Sequence, residues 1–424
     1  MWRRVRIEQA ADIISGGTPS RLAPRFWGDG IAWATPTDIT ACRRPLISET
    51  ADSITREGLL NSSAKQLPAG SILLTSRATI GEARIAAMPI STNQGFKSLV
   101  AKPGYDGTFL YYQVLALRGQ FERYGVGSTF PEINKRDVAR VEFDCPEDEE
   151  EQRRIGRILW SVDTQITHTE ALIAKQEQVR AGLMQDLFTR GVDETGRLRP
   201  PREEAPELYH ETALGWLPKG WNVSTLGSLV DPNRPIVYGI LMPGEHRPDG
   251  VPVVKVRDIQ KGIIEANGLL RTSKAIDIEY ARSRLNVNDI LLSIRGTVGR
   301  LAIVPDELQG ANITQDTARI SIRKGSTAYF RYFLESAQAT RFFQINTLGN
   351  AVQGINLRDV RRLSVPVPTG SEQVAIAKSL EAVVSCGKLF QDQHAKLRRL
   401  RTALLRDLLT PPAAAATEPR IAAE

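Results

Sequence analysis

Several residue types and motifs are scarce in this sequence, and each scarcity excludes a class of protein. The 424 residues include three cysteines, Cys42, Cys145 and Cys386, which lie far apart and form no CxxC pair. A disulfide framework and a cysteine-based zinc site are therefore not expected, and free thiols suit a reducing compartment. No stretch approaches eighteen consecutive apolar residues, and no apolar run follows the basic start M-W-R-R-V-R. We therefore expect a cytoplasmic protein with no signal peptide and no membrane span.

Motifs that carry catalysis are also missing. The strings D-P-N-R-P (231–235) and P-P-R-E (200–203) do not match the loop of methyltransferases that act on amino groups of bases. G-V-G at 125–127 lacks the third glycine of a dinucleotide-binding turn, and G-N-A-V-Q-G at 349–354 lacks the Lys-Ser/Thr that completes a phosphate-binding loop. The segment 248–255 has valine where a metal-dependent nuclease needs a second acid, and there is no HExxH. These gaps predict a binding protein without catalytic or metal-ligating residues.

The overall composition is that of a globular protein with a moderate basic excess. Hydrophobic residues make up 42% and charged residues 24% of the chain, and its length allows two or three domains. The net charge is +7 and the isoelectric point is near 9.3. This balance permits a polyanionic partner such as nucleic acid but does not require one.

The sequence repeats itself at an offset of about half its length. L-M-Q-D-L-F-T at 183–189 returns as L-L-R-D-L-L-T at 404–410, an offset of 221 residues. Upstream, the pattern I-L-L…R…T…G at 72–81 returns at 290–299, an offset of 218 residues. Because the offset hardly changes between distant matches, the chain is a tandem duplication, and the two halves should fold alike.

Each half divides into a mixed region of short strands and helices and one long helix. The predicted segments are a first mixed domain at 1–146, a first long helix at 147–190, a linker at 191–215, a second mixed domain at 216–368, a second long helix at 369–410 and a disordered tail at 411–424. Acidic residues at 147–151 and a T-G-S-E capping box at 369–372 mark the helix starts. The predicted fold class is α+β.

The two long helices carry an apolar seam with steps of three and four residues, the pattern of a coiled coil. Its positions are Ile155, Leu159, Val162, Ile166, Thr169, Ile173, Gln176, Val179, Leu183 and Leu187, and then Ile376, Leu380, Val383, Gly387, Phe390, His394, Leu397, Leu400, Leu404 and Leu408. One interpretation is that each helix packs only on its own domain. Helices of about 40 residues, or roughly 60 Å, exceed a domain of this size. We therefore expect them to pair as an antiparallel coiled coil about a pseudo-twofold axis.

The motifs of both halves, in order and in duplicate, resemble those of the specificity (S) subunits of type I restriction–modification enzymes. They are S-G-G-T-P-S (15–20), F-W-G-D-G-I-A-W (26–33), T-N-Q-G-F-K (92–97), L-G-W-L-P-K-G-W (214–221), Y-G-I (238–240), G-V-P-V-V-K-V-R-D-I (250–259), I-R-G-T-V-G (294–299) and I-T-Q-D (313–316). The resemblance covers nearly the whole chain. It implies that the mixed regions are two target-recognition domains and that the long helices are the spacer between them.

The resemblance also implies a function and partners. Such a subunit is not an enzyme; it binds double-stranded DNA at a bipartite, asymmetric site and docks two adenine methyltransferase (M) subunits. It needs no cofactor itself, because the M subunits carry AdoMet and the restriction (R) subunits use ATP and Mg²⁺. The repeated helix ends, with Leu183, Leu187, Leu404 and Leu408, are the expected places for M-subunit docking.

Base and phosphate contacts need polar or basic side chains on loops that reach DNA. The candidates of the first domain are Thr18, Ser20, Arg21, Arg77, Thr79, Asn93, Gln94 and Lys97, and those of the second are Tyr238, Arg257, Arg295, Thr297, Arg300, Asn312, Thr314 and Gln315. Several of these residues are also common turn formers. Arg77 and Arg295 occupy equivalent places, so we expect a shared role, either phosphate binding or a salt bridge within each domain.

Three other functions remain open at this point. The chain could act alone on DNA, as a regulator or an orphan specificity subunit without a restriction partner. It could be a nuclease or methyltransferase with degenerate motifs, or a scaffold without a DNA role. The sequence does not indicate which bases are read.

Overall fold

The computed structural model describes residues 1–125, 131–260, 262–349 and 353–412. Most of the tail predicted to be disordered, residues 413–424, lies outside the described part. Contacts divide the chain into a first unit, Met1–Ile173 with Phe390–Glu424, and a second unit, Ala174–Leu389. This division differs from the predicted succession of domains and helices, because each long helix contributes one part to each unit.

The elements of the first unit follow one another in short segments. Its strands are β1 (Trp2–Arg6), β2 (Ala11–Ser15), β3 (Trp27–Ala34), β4 (Leu46–Ile47), β5 (Asp52–Ile54), β6 (Ile72–Leu74), β7 (Ala83–Ala86), β8 (Ile90–Thr92), β9 (Lys97–Ala101) and β10 (Glu142–Pro146). Its helices are α1 (Ile7–Ala10), α2 (Pro36–Ala41), α3 (Arg56–Leu60), α4 (Gly107–Ala116), α5 (Arg118–Tyr124), α6 (Lys135–Arg140) and the first part of α7 (Glu149–Thr189). The sheets have the orders β2-β9-β6-β7-β4, β5-β3-β8 and β1-β10.

The second unit repeats this plan with different loops. Its strands are β11 (Tyr209–Thr212), β12 (Gly215–Pro218), β13 (Asn222–Thr225), β14 (Val237–Tyr238), β15 (Val251–Val254), β16 (Ile259–Gln260), β17 (Ile263–Ile264), β18 (Leu270–Thr272), β19 (Ile290–Ser293), β20 (Leu301–Ile303), β21 (Asn312–Ile313), β22 (Thr317–Ile320) and β23 (Ser364–Val367). Its helices are α8 (Leu226–Leu229), α9 (Lys274–Glu279), α10 (Thr327–Leu334), α11 (Ala337–Asn346), α12 (Leu357–Arg362) and the first part of α13 (Gly370–Leu408). The larger sheets have the orders β14-β22-β19-β20 and β18-β15-β21.

The repeated I-L-L motif forms a central strand in each unit. In β6, Ile72 and Leu74 join one apolar cluster while Leu73 joins another. In β19, Ile290 and Leu292 likewise join one cluster and Leu291 another. Successive side chains of a strand point to opposite faces, so three consecutive apolar residues predict a strand that is buried on both sides.

The dipeptide E-Q lies at the start of each long helix, at 151–152 and 372–373, and its Gln ties the helix to the mixed domain that precedes it. Gln152 accepts a hydrogen bond from the Asp106 N–H at 2.9 Å and donates to the Pro146 carbonyl at 3.0 Å. Gln373 accepts from the Ser326 N–H at 3.0 Å and donates to the Pro368 carbonyl at 3.0 Å. Both side chains are buried. The motif therefore returns in the sequence because it serves the same contact twice.

The Glu of this motif behaves differently from the prediction. Thr369 accepts a hydrogen bond from the Glu372 N–H, but the Glu372 carboxylate does not complete the capping box. It instead accepts from the Arg199 guanidinium at 2.5 Å, the Val192 N–H at 2.9 Å and the Trp221 indole at 2.9 Å. The capping-box prediction is therefore wrong in its second half, because the carboxylate anchors the start of the linker.

The long helices pair antiparallel within each unit. In the first unit, Asp163 of α7 contacts Arg401 of α13, and Glu170 contacts His394 at 3.0 Å. In the second unit, the Gln176 amide donates to the Val383 carbonyl at 2.9 Å. The predicted antiparallel pairing is confirmed within each unit, and the helix bounds differ from the predicted ones by one or two residues. The pseudo-twofold axis stays a prediction.

A buried polar contact reinforces this pairing in the first unit. The Tyr112 hydroxyl donates to Asp163 at 2.9 Å, and the same carboxylate accepts from Arg401. Burial, followed by the neighbouring Asp163 charge, raises the pKa of Tyr112. Tyr112 therefore keeps its proton and remains a donor.

The last turn of each long helix enters the core of the unit formed by the other half of the sequence. Leu404, Leu405, Leu408 and Leu409 of α13 pack in the first unit. Met184, Leu187 and Phe188 of α7 pack in the second unit. Leu187 is only 1% exposed, so the expectation that it binds a partner is wrong, since its own chain buries it. Leu183, Leu404 and Leu408 are partly buried against the same cores and leave little surface for docking.

Two features are absent from the described residues. No helix there is long and apolar enough to span a membrane. No group of three or more His, Cys, Asp or Glu side chains in that part of the chain is arranged to hold a metal ion.

Candidate nucleic-acid interface

One turn with an exposed arginine occurs in both units. It joins β6 to β7 in the first unit and β19 to β20 in the second. The Thr75 hydroxyl donates to the Thr79 carbonyl, and the Ser293 hydroxyl donates to the Thr297 carbonyl at 2.5 Å. The residue after each arginine has a positive φ, 60° at Ala78 and 72° at Gly296. The same backbone form therefore presents Arg77 and Arg295.

The first arginine is paired with a carboxylate of its own domain. The Arg77 Nε donates to the Glu132 carboxylate at 2.7 Å, and the Lys97 ammonium lies 3.5 Å from the other carboxylate oxygen. Arg77 therefore forms a salt bridge within its domain, one of the two roles expected from the sequence. Lys97 is 7% exposed, so its predicted DNA contact is wrong; the ammonium is directed to Ser76 and Glu132.

The second arginine has different neighbours. A backbone bridge joins Arg77 to Glu132 in the first unit, and the corresponding bridge joins Arg295 to Gly354. Glycine supplies no carboxylate, and within the described ranges Arg295 has no ion pair. Its guanidinium instead donates to the Gln315 carboxamide oxygen at 3.3 Å. Arg295 is therefore free to bind an anion from outside.

Arg295 lies in a cavity of about 780 Å³, which we call the basic cleft. It is lined by Tyr238, Leu241, Tyr280, Arg282, Ile294, Arg295, Gln315, Leu348, Gly349, Gly354, Ile355, Asn356, Leu357 and Arg358. The structure thus brings together the predicted residues Tyr238, Arg295 and Gln315. The described lining holds three arginines and no acidic residue, so the cleft favours a polyanion.

Sequence reasoning missed several residues of the basic cleft, among them Arg282 and Arg358. They lie on segments far apart in the chain, outside the glycine-rich turns that hold the predicted residues. Arg358 lies in the first turn of α12, and Arg282 lies in the 3-10 helix Ala281–Ser283 that follows α9. The sequence distinguishes these two residues only as arginines outside predicted strands, which is too common a feature to indicate a site.

Several predicted residues of the second domain are structural. Asn312 is fully buried and bonds to Ser283 at 2.7 Å and Asp277 at 2.9 Å. The prediction that it contacts DNA is wrong, because its amide holds β21 in place. Thr314 is also buried, and its hydroxyl has no hydrogen-bond partner among the described residues. The Arg300 guanidinium donates hydrogen bonds to the carbonyls of Val256 and Ile259, each at 3.2 Å.

The remaining predicted residues of that domain are accessible. Arg257 is highly exposed and pairs with Asp258 at 3.6 Å. Thr297 is exposed at the tip of the arginine turn. Neither lines the basic cleft.

Polar residues of the first domain form a second cluster. The Thr18 hydroxyl lies 2.5 Å from the Gln94 amide oxygen, and both residues are exposed. Asn93 accepts a hydrogen bond from the Gly95 N–H at 2.9 Å, which shapes the turn between β8 and β9. The structure therefore brings Thr18, Asn93 and Gln94 together. Thr79 is half-buried, and its hydroxyl has no partner within the described chain.

The loop at Ser20 and Arg21 is held by tryptophans. The Trp27 indole donates to the Ser20 carbonyl at 3.0 Å, and the Arg21 guanidinium lies 3.5 Å from the centre of the Trp27 ring. Arg21 also pairs with Asp52 at 2.6 Å. These contacts fix the loop and leave Ser20 and Arg21 exposed.

A second cavity, of about 590 Å³, lies in the first unit. Asp29, Glu49 and Asp52 line it, and none of its lining residues is basic. The charge of these lining residues disfavours contact with a phosphate backbone.

Comparison with known proteins agrees with these features. The sequence profile described as the type I restriction modification DNA specificity domain matches residues 1–178 and 218–399. The chain is 28% identical over 324 residues to the type I restriction enzyme MjaIX specificity subunit of Methanocaldococcus jannaschii, covering 73% of this chain and 71% of that protein. It is 28% identical over 249 residues to the EcoBI specificity subunit of Escherichia coli, covering 57% of this chain and 52% of that protein.

Solved structures share the fold. The crystal structure of the S subunit from M. genitalium aligns with a TM-score of 0.59 at 16% identity and covers 97% of both chains. A chain from a study of complex assembly and conformational transition of the type I R-M system aligns with a TM-score of 0.57 at 17% identity, covering 97% of this chain and 98% of that one. These likenesses extend along nearly the whole chain and include both units.

The family match spans both recognition domains and most of both long helices. Specificity subunits are the DNA-recognition components of their complexes and not the catalytic ones. The motifs in both halves of this sequence resemble those of such subunits. They need no cofactor of their own. This chain belongs to the type I restriction–modification DNA specificity family.

Proposed function

We propose that this chain reads a bipartite, asymmetric DNA site, one half with each recognition domain, and docks two adenine-methylating M subunits. The main support is that one turn presents an arginine in each unit, in different surroundings. Arg77 is held in a salt bridge with Glu132, whereas Arg295 opens into the basic cleft. Two domains with one backbone plan and different side chains suit two different half-sites.

The paired helices are the proposed spacer and docking surface. Val179 and Leu400 are equivalent at an offset of 221 residues and were expected inside the helical seam. They are instead 44% and 47% exposed. Because exposed apolar side chains on a helix favour a partner, we assign M-subunit docking to these two positions instead of Leu187.

The proposal includes the partners that supply chemistry. The M subunits would bring AdoMet, and R subunits would bring ATP and Mg²⁺ to a cytoplasmic complex. The proposed site consists of two short specific blocks whose centres lie about one DNA turn, roughly 10 bp or 34–36 Å, apart. Several unspecified bases separate the blocks.

Methylome sequencing of a host that carries this protein with its M subunit tests the proposal. We expect a split methylated motif, and exchanging residues 1–146 for the domain of another family member should change one half of it. A continuous motif, or simultaneous change of both halves, would contradict the proposal. Gel-shift at fixed salt with and without the M protein separates it from a stand-alone DNA-binding protein, which would bind tightly by itself.

A further inference from the structure

Large apolar side chains are exposed around the basic cleft. Tyr238, Leu241 and Leu348 all line it and are 43%, 52% and 66% exposed. Single exposed apolar residues are ordinary on a protein surface, but three around one concave site mark a binding surface.

These side chains stand on fixed backbone. The Ile240 N–H donates to the Ile313 carbonyl at 2.7 Å, and the Gln315 N–H donates to the Ile240 carbonyl at 2.9 Å. Across the cleft, Leu348 and Gly354 exchange two backbone hydrogen bonds of 2.9 Å. The backbone is therefore held by hydrogen bonds at Ile240, next to Leu241, and at Leu348, which lowers the backbone entropy lost on binding.

The charge of the cleft identifies the occupant. Arg282, Arg295 and Arg358 line it, and no acidic side chain does so in the described part of the chain. Double-stranded DNA presents phosphates to such arginines. Along its major groove, the thymine 5-methyl is the apolar group that base edges offer, and leucine side chains make no hydrogen bonds that could read the other edges.

We propose that Leu241 and Leu348 contact thymine 5-methyl groups in the major groove, so that the second recognition domain selects A·T pairs within its half-site. The inference rests on the proposed function, since it requires that this domain reads DNA. The arginines hold the phosphates and carry affinity, while the leucines carry selection between bases.

Replacement of thymine by uracil isolates this contact. Uracil keeps every hydrogen-bonding group of thymine and lacks only the 5-methyl. Burial of one such carbon group is worth about 0.8 kcal/mol, or about a fourfold change in affinity. Replacement of any one contacted thymine by uracil should therefore weaken binding about fourfold.

The experiment uses the complex of the full chain with its M subunits. The DNA duplexes contain the motif found by methylome sequencing. In each duplex, uracil replaces one thymine, on either strand and in either half of the motif. Affinity is measured by fluorescence anisotropy at one salt concentration. We expect that binding weakens for uracil at one or more thymine positions. Leu241→Ala or Leu348→Ala should remove this effect, and all the positions where it is removed should lie in one half of the motif. Ile278→Ala is the matched control, because Ile278 is 68% exposed in the same unit and does not line the cleft.

The outcomes separate this inference from the function on which it rests. A split motif with no uracil-sensitive position in either half would overturn the inference and leave the function intact. Sensitivities that persist unchanged in both leucine variants would overturn it as well. An unsplit motif would overturn the proposed function, and the inference with it.

Discussion

Arg401 of α13 donates from Nε to the Asp163 carboxylate of α7 at 2.5 Å, and the two side chains are 31% and 8% exposed. The contact joins residues 238 positions apart in the sequence within the first unit. Since Tyr112 donates to the same carboxylate, the recognition domain and both long helices meet at one buried charge.

Removal of this charge pair should destabilise the first unit. Arg401→Ala leaves the Asp163 carboxylate without a cationic partner, at a cost of about 2–3 kcal/mol after allowance for the partial exposure of Arg401. The unfolding temperature should fall by about 4–10 °C. Tyr112→Phe removes one neutral donor and should cost about 1 kcal/mol. Thermal unfolding followed by circular dichroism measures both.

Arg406→Ala is the control for this pair. Arg406 pairs with Asp407 on the same helix, but its side chain is 79% exposed. No measurable change is expected, because exposed pairs are screened by water. Equal destabilisation by Arg401→Ala and Arg406→Ala would show that the buried pair has no special role.

Loss of the Glu372 contacts should make the linker more susceptible to proteolysis. Glu372→Ala leaves the Arg199 guanidinium, the Val192 N–H and the Trp221 indole without their shared acceptor. The chain should then open locally and be cut by trypsin after Arg190 or Arg197 several-fold faster. Limited proteolysis with mass spectrometry locates the cuts. Glu151→Ala is the matched control, because this equivalent residue pairs with Arg154 alone among the residues that the structure describes. Similar rates in both variants would contradict the anchor.

The two arginine turns predict opposite effects on DNA binding. Arg295→Ala removes a free cation from the basic cleft, so affinity should fall and the salt slope should drop by about 0.9. Glu132→Gln removes the negative charge that pairs with Arg77 and Lys97, so affinity should rise about 2–5-fold at low salt. Salt titrations of binding measure both quantities. Arg202→Ala is the control: this exposed arginine lies over Trp216 and outside the cleft. A slope unchanged by Arg295→Ala would remove Arg295 from the DNA contacts.

Val179 and Leu400 predict the stoichiometry of the complex. Val179→Asp should block one M subunit and Leu400→Asp the other, because a charge on a buried apolar contact is costly to desolvate. Native mass spectrometry should give one M subunit per chain for each single variant and none for the double variant. Ile345→Asp, at another exposed apolar residue (71%), should still bind two. Two bound M subunits in the double variant would place docking elsewhere.

The long helices should set the gap between half-sites. Insertion of four residues in both, between 173 and 174 and between 389 and 390, adds roughly 6 Å to each. The gap should lengthen by one or two base pairs at about 3.4 Å each, and the specific blocks should stay unchanged. Methylome sequencing reads both. An unchanged gap would show that something other than the helices sets the spacing.

Much of the fold follows from local patterns in the sequence. The duplication, the two long helices and their near limits are visible because apolar periodicity and capping residues act over a few positions. The I-L-L strands are also visible, since runs of apolar residues between turns are buried on both faces. The shared arginine turn is detectable because its hydroxyl, arginine and glycine lie within ten residues.

What tertiary structure decided is where the side chains go. A polar residue on a loop has the same sequence signature whether it faces DNA or holds a neighbouring strand. Asn312 and Lys97 therefore match the pattern of DNA-contacting residues although both are buried. The basic cleft assembles Tyr238, Arg282, Leu348 and Arg358 from separate segments, which no local pattern records. Likewise, Leu187 and Val179 belong to the same apolar pattern on the same helix. Leu187 is buried in a core, whereas Val179 is about half exposed. The sequence by itself determined which segments are helices and strands, because those depend on neighbours in the chain; burial and charge pairing depend on neighbours in space, so only the tertiary structure decided them.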